Sequence, residues 1–251
     1  MTKKELYDIL KERFQEVLKE HQIENDHLSV SCRALTPEEA IGKTKRTDYP
    51  ILTGKDVMIQ AEYKGFRGQA FTDAPSSFEG MLEDILQMDI EHDPHDRGIF
   101  IATVNAVMAS LGLCCGTVHC RTEGPELCAQ DMLRYLETNY PNVKKIALVG
   151  FQPSLLEMLS KSNYDVRVMD LNPNNIGQLK FGIRVEDGTA MKEEIHDSYV
   201  ELILCTGSTL CNGSIIDYLD LDKDVLFFGT TASGAAPLLG LKRVCFADKY
   251  E

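Results

Sequence analysis

Apolar residues in the second half of the chain fall into short, nearly continuous runs. These runs cover 146–150, 166–170, 202–206 and 225–229, with a further candidate at 243–247. Segments with helical periodicity separate them. Strands that are apolar along their whole length are typical of a parallel sheet covered on both faces, and alternation with helices indicates β-α-β units. The second half is therefore predicted to be a Rossmann-like parallel-sheet domain.

The first half has a different order, in which strands precede helices. Thr2 and Glu5 form a capping box, and apolar positions at helical spacing predict a helix after it. Strands are predicted at 27–34, 56–64 and 68–72, with a hairpin turn at 65–68. Further elements are a helix capped by Ser76 and Glu79 that runs to 88, helices at 99–111 and 125–138, and a buried strand at 113–120. This order is typical of an α+β domain.

The segment Asn139-Tyr140-Pro141-Asn142 separates the two patterns. We therefore expect an α/β protein with a small α+β domain at 1–141 and a Rossmann-like ligand-binding domain at 142–251. No internal repeat accompanies this division.

Composition and charge narrow the classes of function. The chain has 251 residues, 43% of them hydrophobic, and a net charge of −13 without any Lys/Arg-rich block. This balance argues against nucleic acid and against an anionic membrane surface, but is compatible with cationic ligands. No apolar run approaches the roughly 18 residues of a membrane span. The charged start does not resemble a signal peptide, so we expect a cytoplasmic protein.

Small, hydroxylated and acidic residues follow the predicted parallel strands. Ligands of open parallel sheets bind at the carboxyl ends of strands, where such residues let backbone amides approach them. Asp170 can accept hydrogen bonds from a ribose or another diol. The alternative is that these residues form ordinary turns and helix caps. The candidate ligand-binding residues from this pattern are Gly150, Phe151, Asp170, Asn172, Thr206, Gly207, Ser208, Thr209, Gly229 and Thr230.

The first strand-end turn argues against an ordinary dinucleotide enzyme. It lacks the G-x-G-x-x-G pattern, and Pro153 has no amide hydrogen with which to hold a pyrophosphate. A G-x-x-x-x-G-K-[ST] phosphate loop is also absent from the sequence.

Cysteine provides a second candidate for chemistry. Cys114, Cys115, His119, Cys120 and Cys128 lie close together in the sequence, and thiolates with imidazole suit zinc, copper(I) or an iron–sulfur cluster. Of these, Cys115, His119, Cys120 and Cys128 are the candidate metal ligands. No paired C-x-x-C motif is present, and the alternative is that the cysteines are small buried hydrophobes.

Two other cysteines and one polar segment have simpler interpretations. Cys205 lies inside an apolar strand and is expected in the core, whereas Cys211 is near a helix start that would stabilise a thiolate. The segment 91–97 contains two histidines with carboxylates and is interpreted as a solvated loop.

Several motifs resemble a family named putative heavy-metal chelation, a group of unknown function. They are 146–153, 168–173, 206–214 and 228–233, with a further match at 96–106; the most specific is the Thr-Gly-Ser-Thr-x-x-Asn-Gly run that starts at Thr206. The resemblance implies an enolase N-terminal-like first domain, a Rossmann-like second domain that is partly similar to methyltransferases, and a site between them. It adds Asn105 and Asn212 to the candidate ligand-binding residues.

Three functional hypotheses follow. The first is a protein that binds or processes a small metal-linked, pterin- or nucleotide-like ligand in an interdomain cleft, with Asn105 reaching across to the ligand. The second is a methyltransferase-like or hydrolytic enzyme. The third is direct metal binding by protein thiols. The cofactor is unidentified, with a transition metal or a metal chelate as the candidate. A homodimer is expected as the default for soluble proteins.

Overall fold

The computed structural model describes residues 1–23, 29–53, 57–190 and 200–251. Helix α1 (Lys3–Glu20) opens the chain, and both bonds of the Thr2–Glu5 capping box are present. Its apolar stripe, which includes Leu6, Leu10 and Phe14, is fully buried. The first helix is therefore confirmed.

An antiparallel sheet follows. It contains β1 (Ser29–Ala34), β2 (Val57–Tyr63), β3 (Phe66–Thr72) and β4 (Phe78–Met81) in the order β3-β2-β1-β4. The β2–β3 hairpin reverses at Lys64 and Gly65, which both have positive φ. Two such residues are typical of the tight turns that match strand twist. The reversal overlaps the predicted turn at 65–68 only at Gly65, because residues 66–68 already belong to β3.

Helices α2 (Pro37–Ile41), α3 (Leu82–Leu86) and α4 (Pro94–Ser110) accompany this sheet, with a 3₁₀ turn at Pro50–Thr53. Helix α5 (Gly124–Asn139) follows them in the chain. Helix α4 is buried along most of its length. At Gly68 of β3, an added Cβ would lie 2.2 Å from the carbonyl oxygen of Ala102 and 2.2 Å from the amide nitrogen of Ala106. The α4 and β3 backbones are therefore in direct contact.

The second sheet is parallel over most of its width. Its strands are β5 (Lys145–Val149), β6 (Asp165–Asp170), β7 (Leu179–Lys180), β8 (Ile183–Asp187), β9 (Leu202–Thr206) and β10 (Asp224–Phe228), in the order β10-β9-β5-β6-β8-β7. Only the β7–β8 pair is antiparallel among these described strands. The accompanying helices are α6 (Pro153–Ser160), α7 (Thr209–Asn212) and α8 (Ala235–Leu239), with 3₁₀ turns at Ser214–Tyr218 and Ala247–Lys249.

The expected fold class is confirmed: an antiparallel α+β part precedes a Rossmann-like sheet. One apolar core joins them, because Phe100 of α4 and Ile203 of β9 belong to the same buried cluster. Helix α5 packs instead on the other face of the second sheet, where Met132 and Leu148 belong to a second buried cluster. The division at residue 141 and the likeness to an enolase N-terminal domain stay predictions. Of the helices in the described ranges, none is both long and apolar enough to span a bilayer.

Several predicted elements were wrong. Residues 113–120 form an irregular loop with positive φ at Gly116 rather than a strand. Residues 78–81 pair with β1, so the following helix starts at Leu82 and is not capped by Ser76. Residues 243–247 contribute one bridge, between Phe227 and Arg243, instead of a strand.

Other helices and strands differ from the predicted ones in their extent or were not predicted. Residues 94–97 form the first turn of α4 rather than part of a loop, because Asp93 caps the helix by accepting hydrogen bonds from the His95 and Asp96 amides. Sequence patterning missed β7, which has only two residues, and β8, which carries charged residues between the apolar ones. The start of the predicted strand at 27–34 lies outside the described residues.

Candidate functional site

The carboxyl ends of four neighbouring parallel strands meet at one edge of the second sheet. Phe228 of β10 is level with Thr206 of β9, and Val149 of β5 is level with both Cys205 and Met169. A cavity of about 520 Å³ lies beside this edge. We call it the strand-end cavity. The first half of the chain also lines it, through Tyr49, Ile51, Phe71 and Asp73.

Most of the predicted ligand-binding residues line this cavity. They are Gly150, Phe151, Asp170, Asn172, Thr206, Ser208, Thr209, Asn212, Gly229 and Thr230. The two that do not line it are Gly207 and Asn105. The structure thus brings the strand-end motifs together, while their binding of a ligand stays a prediction.

Asp170 organises the first two strand-end loops. Its Oδ2 accepts a 2.7 Å hydrogen bond from the Phe151 amide, and its Oδ1 accepts a 2.6 Å hydrogen bond from the Asn172 amide. Gly150 lies between the end of β5 and Phe151. Its φ is +85°, and a Cβ added at this position would lie 2.5 Å from Thr206 Cγ2. The carboxylate of Asp170 therefore shapes the cavity wall.

The Thr-Gly-Ser-Thr turn is held by its own hydroxyls. Thr209 Oγ1 donates a 2.7 Å hydrogen bond to the Thr206 carbonyl, and the Ser208 amide donates to Thr206 Oγ1 at 3.4 Å. The Gly207 amide donates to the Phe228 carbonyl at 2.7 Å, and a Cβ at Gly207 would lie 2.8 Å from the Ala232 amide nitrogen. Gly207 therefore packs against the β10 loop instead of facing the cavity.

Asn105 reaches across between the two halves, but its side chain contacts backbone. Its Nδ2 donates to the carbonyls of Gln69, Thr230 and Thr231 at 2.9, 3.1 and 3.1 Å. Its Oδ1 accepts a 2.6 Å bond from the Gly234 amide. The residue is completely buried. The expected contact between Asn105 and a ligand is corrected accordingly, because both ends of the amide already have backbone partners.

One hydroxyl at the cavity differs from its neighbours. Thr230 is 1% exposed, and its Oγ1 has no hydrogen-bond partner within the described part of the chain. A buried polar atom left without a partner costs about 1–3 kcal/mol. The fold thus carries an unsatisfied group at the end of β10.

The charged residues that line the cavity are acidic. They are Asp73, Asp170 and Asp217, and no Lys or Arg is found among its lining residues in the described ranges. Basic side chains lie next to the lining, because Lys180 Nζ is 5.6 Å from the ring centroid of Phe151 and Arg46 Cζ is 5.8 Å from that of Tyr49. Burial lowers the pKa of the lining side chain His119, so that it is neutral near pH 7. The lining itself therefore carries net negative charge.

The rest of the wall is apolar and aromatic, with Phe71, Phe151 and Phe228 among its residues. Tyr49 is buried and its hydroxyl shares a 2.7 Å hydrogen bond with Ser154 Oγ; burial raises its pKa. Flat apolar walls with a few polar groups are typical of sites for small aromatic ligands.

The structure places three of the four predicted metal ligands at the cavity and the fourth outside it. His119, Cys120 and Cys128 line the cavity, whereas Cys115 is exposed and lies outside it. Cys245, which sequence analysis did not single out, lines the cavity beside them. Among the described residues, no group of three or more His, Cys, Asp or Glu side chains is arranged to hold a metal ion.

The cysteines near the strand ends behave as buried thiols. Cys205 is fully buried, as expected for a core residue. Cys211 also lines the cavity, but burial raises its pKa to about 12. The expected stabilised thiolate at Cys211 is therefore wrong: burial outweighs the nearby Arg97 guanidinium, which lowers the pKa, and Asp73 adds a negative charge that raises it further.

Asp73 and Tyr49 were also missed by the sequence patterns. Asp73 directly follows β3 and Tyr49 precedes a 3₁₀ turn, and both face the second sheet only through the tertiary fold. The position of Asp73 after a strand was the one available signal.

Comparison with known proteins agrees with the resemblance read from the motifs. Residues 135–242, from α5 to just beyond α8, match the sequence model of the family DUF364, described as "putative heavy-metal chelation". The family resemblance is therefore confirmed for this region. The comparison with curated proteins gives no match.

The chain is also similar to several solved structures. A protein of unknown function of the same family from Pyrococcus horikoshii has 15% identity and a TM-score of 0.49, over 90% of this chain and 79% of that one. Another from Desulfitobacterium hafniense has 12% identity and a TM-score of 0.42, over 74% and 72%. A Rex-family repressor has 11% identity and a TM-score of 0.28, over 39% and 52%.

Proposed function

We propose that this chain, whose residues 135–242 match a family described as putative heavy-metal chelation, binds a small metal-linked ligand in the strand-end cavity. The ligand is a pterin-like aromatic molecule that carries a metal cation. Its volume is limited by the cavity of about 520 Å³, which falls within the roughly 300–1,000 Å³ of ordinary small-molecule sites.

The charge of the cavity carries the proposal. Three carboxylates, from Asp73, Asp170 and Asp217, line it without any Lys or Arg among the described lining residues. In a partly buried site these charges attract a cation and repel phosphate. A metal-linked ligand is therefore favoured over a nucleotide, which needs positive charge or free amide donors around its phosphates.

The walls support an aromatic ligand. Phe71 and Phe151, from the two halves of the chain, both line the cavity, and an aromatic ring system gains both apolar burial and ring–ring contact against such side chains. The hydroxyls of Thr206 and Ser208 can orient the polar edge of the same molecule.

Calorimetry with the Zn²⁺ complex of pterin-6-carboxylate tests the proposal. We expect the complex to bind one per chain, and AMP to give no heat. Ser208→Phe, which places a ring in the cavity, should abolish the heat of binding. Ser77→Phe, at an exposed position outside the strand-end cavity, should leave it unchanged.

Two results would contradict the proposal. One is the absence of heat with the zinc complex for the wild-type protein. The other is AMP binding that Ser208→Phe removes, because this would assign the cavity to a phosphate-bearing ligand. Circular dichroism of both variants separates loss of binding from loss of fold.

A further inference from the structure

A short hairpin places a lysine beside the aromatic wall of the strand-end cavity. Strands β7 and β8 reverse at Phe181 and Gly182, which have φ of +51° and +82°, and Lys180 pairs with Ile183 directly across the turn. Two-residue turns with positive φ at both positions match the twist of the strands, and they fix the register of a hairpin. The turn therefore sets the position of the Lys180 backbone.

The hairpin is also attached to the first half of the chain. Arg46 Cζ is 5.4 Å from the ring centroid of Phe181. The same guanidinium forms ion pairs with Asp48, at 2.7 Å, and with Glu157 of α6. Two carboxylates thus occupy Arg46, which holds the hairpin next to α6.

The ammonium of Lys180 lies over the ring of Phe151. Its Nζ is 5.6 Å from the ring centroid, within the range of cation–π attraction. Phe151 lines the cavity, and its amide donates to Asp170 Oδ2. Lys180 therefore brings a positive charge to the loop after β5, at the aromatic part of the cavity wall.

This charge has no polar partner within the described part of the chain. No ion pair or hydrogen bond joins the Lys180 ammonium to a described residue. A lysine that stacks on a ring elsewhere in the fold does have such a partner, because Lys242 donates to the Tyr140 hydroxyl at 2.5 Å. Asp170, the lining carboxylate nearest in the chain to this hairpin, already accepts two backbone amides. The Lys180 ammonium is therefore available to an anionic group.

We propose that Lys180 binds a carboxylate of the ligand at the Phe151 side of the strand-end cavity. A ligand ring packed on Phe151 brings an acidic substituent within reach of the lysine, whose flexible four-carbon stem lets the ammonium turn toward it. One ammonium balances the single charge of a carboxylate, whereas a phosphate carries more charge and meets stronger repulsion from the three lining aspartates. This rests on the proposed function and deepens it: the ligand is a metal chelate with an acidic substituent.

The sign of one substitution tests this proposal. Lys180→Met keeps an apolar stem near Phe151 and removes the charge. If the ammonium only repelled the metal cation, the zinc complex of pterin-6-carboxylate would bind Lys180→Met as tightly as the wild type or more tightly. A carboxylate held by Lys180 predicts instead about tenfold weaker binding in calorimetry, since a hydrogen bond between charged groups contributes about that much.

Lys64→Met is the matched control. Lys64 Nζ also lies over a ring, 5.2 Å from the centroid of Tyr63, but neither residue lines the cavity. Both methionine variants change the net charge from −13 to −14. Lys64→Met should bind as the wild type does, and Lys180→Arg should retain most of the affinity, because a guanidinium also pairs with a carboxylate. Circular dichroism of the variants reports whether the fold is kept.

A second measurement changes the ligand instead of the metal site. Metal-free pterin-6-carboxylate and 6-hydroxymethylpterin share the same ring system, but only the first carries a carboxylate. Lys180→Met should weaken binding of the acid by about tenfold and leave binding of the neutral pterin unchanged. Equal losses for the two pterins, equal losses in Lys64→Met and Lys180→Met, or undiminished binding of the zinc complex by Lys180→Met would each overturn the proposal.

The two proposals fail in different ways. Binding of the zinc complex that Lys180→Met leaves unchanged would overturn the carboxylate contact and leave the proposed function standing. Binding of the metal-free acid through Lys180, without binding of the zinc complex, would overturn the proposed function and leave the carboxylate contact standing. A wild-type protein that binds the acid in neither form would overturn both.

Discussion

The side-chain oxygen of Asn105 accepts a 2.6 Å hydrogen bond from the backbone amide of Gly234. This bond joins α4, in the first half of the chain, to the segment between β10 and α8. A side chain at position 234 would interfere, since an added Cβ would lie 2.9 Å from the Val104 carbonyl oxygen. The strand-end cavity therefore depends on a buried amide that holds the loop after β10 in place.

Replacing Asn105 should destabilise the fold. In Asn105→Leu the carbonyls of Gln69, Thr230 and Thr231 and the Gly234 amide lose their partner. Each unsatisfied buried group costs about 1–3 kcal/mol, so we expect a loss of about 3 kcal/mol or more in the free energy of unfolding. Urea denaturation measures this loss.

Asn105→Asp provides the matched comparison. Aspartate keeps the acceptor for Gly234 but turns a carboxylate oxygen toward three carbonyls. It should therefore destabilise the protein at least as much as leucine does at neutral pH. Wild-type stability in either variant would contradict the role of Asn105 as a structural clamp.

Two threonines at the cavity should respond in opposite ways to the same substitution. Thr230 Oγ1 is buried without a partner among the described residues, whereas Thr209 Oγ1 donates to the Thr206 carbonyl at 2.7 Å. Thr230→Val should raise the free energy of unfolding by about 1 kcal/mol, and Thr209→Val should lower it by about 1 kcal/mol. Chemical denaturation of both variants checks the difference, and equal changes would contradict the hydrogen-bond assignment.

Asp131 should make the stability depend on pH. Burial alone would raise its pKa, but the Tyr250 hydroxyl, the Lys249 ammonium and the Arg134 guanidinium together hold the pKa below its ordinary value of 3.8. Since the folded state lowers this pKa, the stabilisation is present above pH 3.8 and is lost as the pH falls through the folded value. Asp131 Oδ2 accepts from Tyr250 at 2.9 Å and from Lys249 at 3.1 Å.

Asp131→Asn isolates this effect. At pH 7 we expect the wild type to be more stable than the variant, and the difference should shrink as the pH falls below 4. Urea denaturation over this range measures it. A difference that is constant with pH would show that the charge of Asp131 contributes nothing.

The parallel sheet could be predicted from sequence because strands buried on both faces need continuous apolar runs. Strands β5, β6, β9 and β10 are largely apolar and were predicted, whereas β8 alternates charged and apolar residues and was missed. The strand-end residues could be predicted for the same reason, since parallel strands bring their carboxyl ends to one edge.

Other features depend on tertiary contacts that a local pattern does not contain. Sequence showed that Asn105 carries a versatile amide, but not that backbone groups use both of its ends. Cys245 lines the same cavity as Cys128 only through the fold, and Cys115 lies near the other cysteines in sequence but outside the cavity. Asp73 likewise comes to the second sheet from the end of β3.

The most direct test of the account is a charge reversal at the cavity. Asp73→Lys adds positive charge at an exposed residue of its lining, and Asp222→Lys makes the same change at an exposed residue outside the lining. Both raise the net charge from −13 to −11. Calorimetry with the zinc complex of pterin-6-carboxylate should show roughly tenfold weaker binding for Asp73→Lys or a larger loss, and unchanged binding for Asp222→Lys. A tenfold loss of affinity corresponds to about 1.4 kcal/mol of lost charge interaction. Equal affinities of the two variants, or tighter binding by Asp73→Lys, would contradict the claim that the cavity selects a cation-bearing ligand.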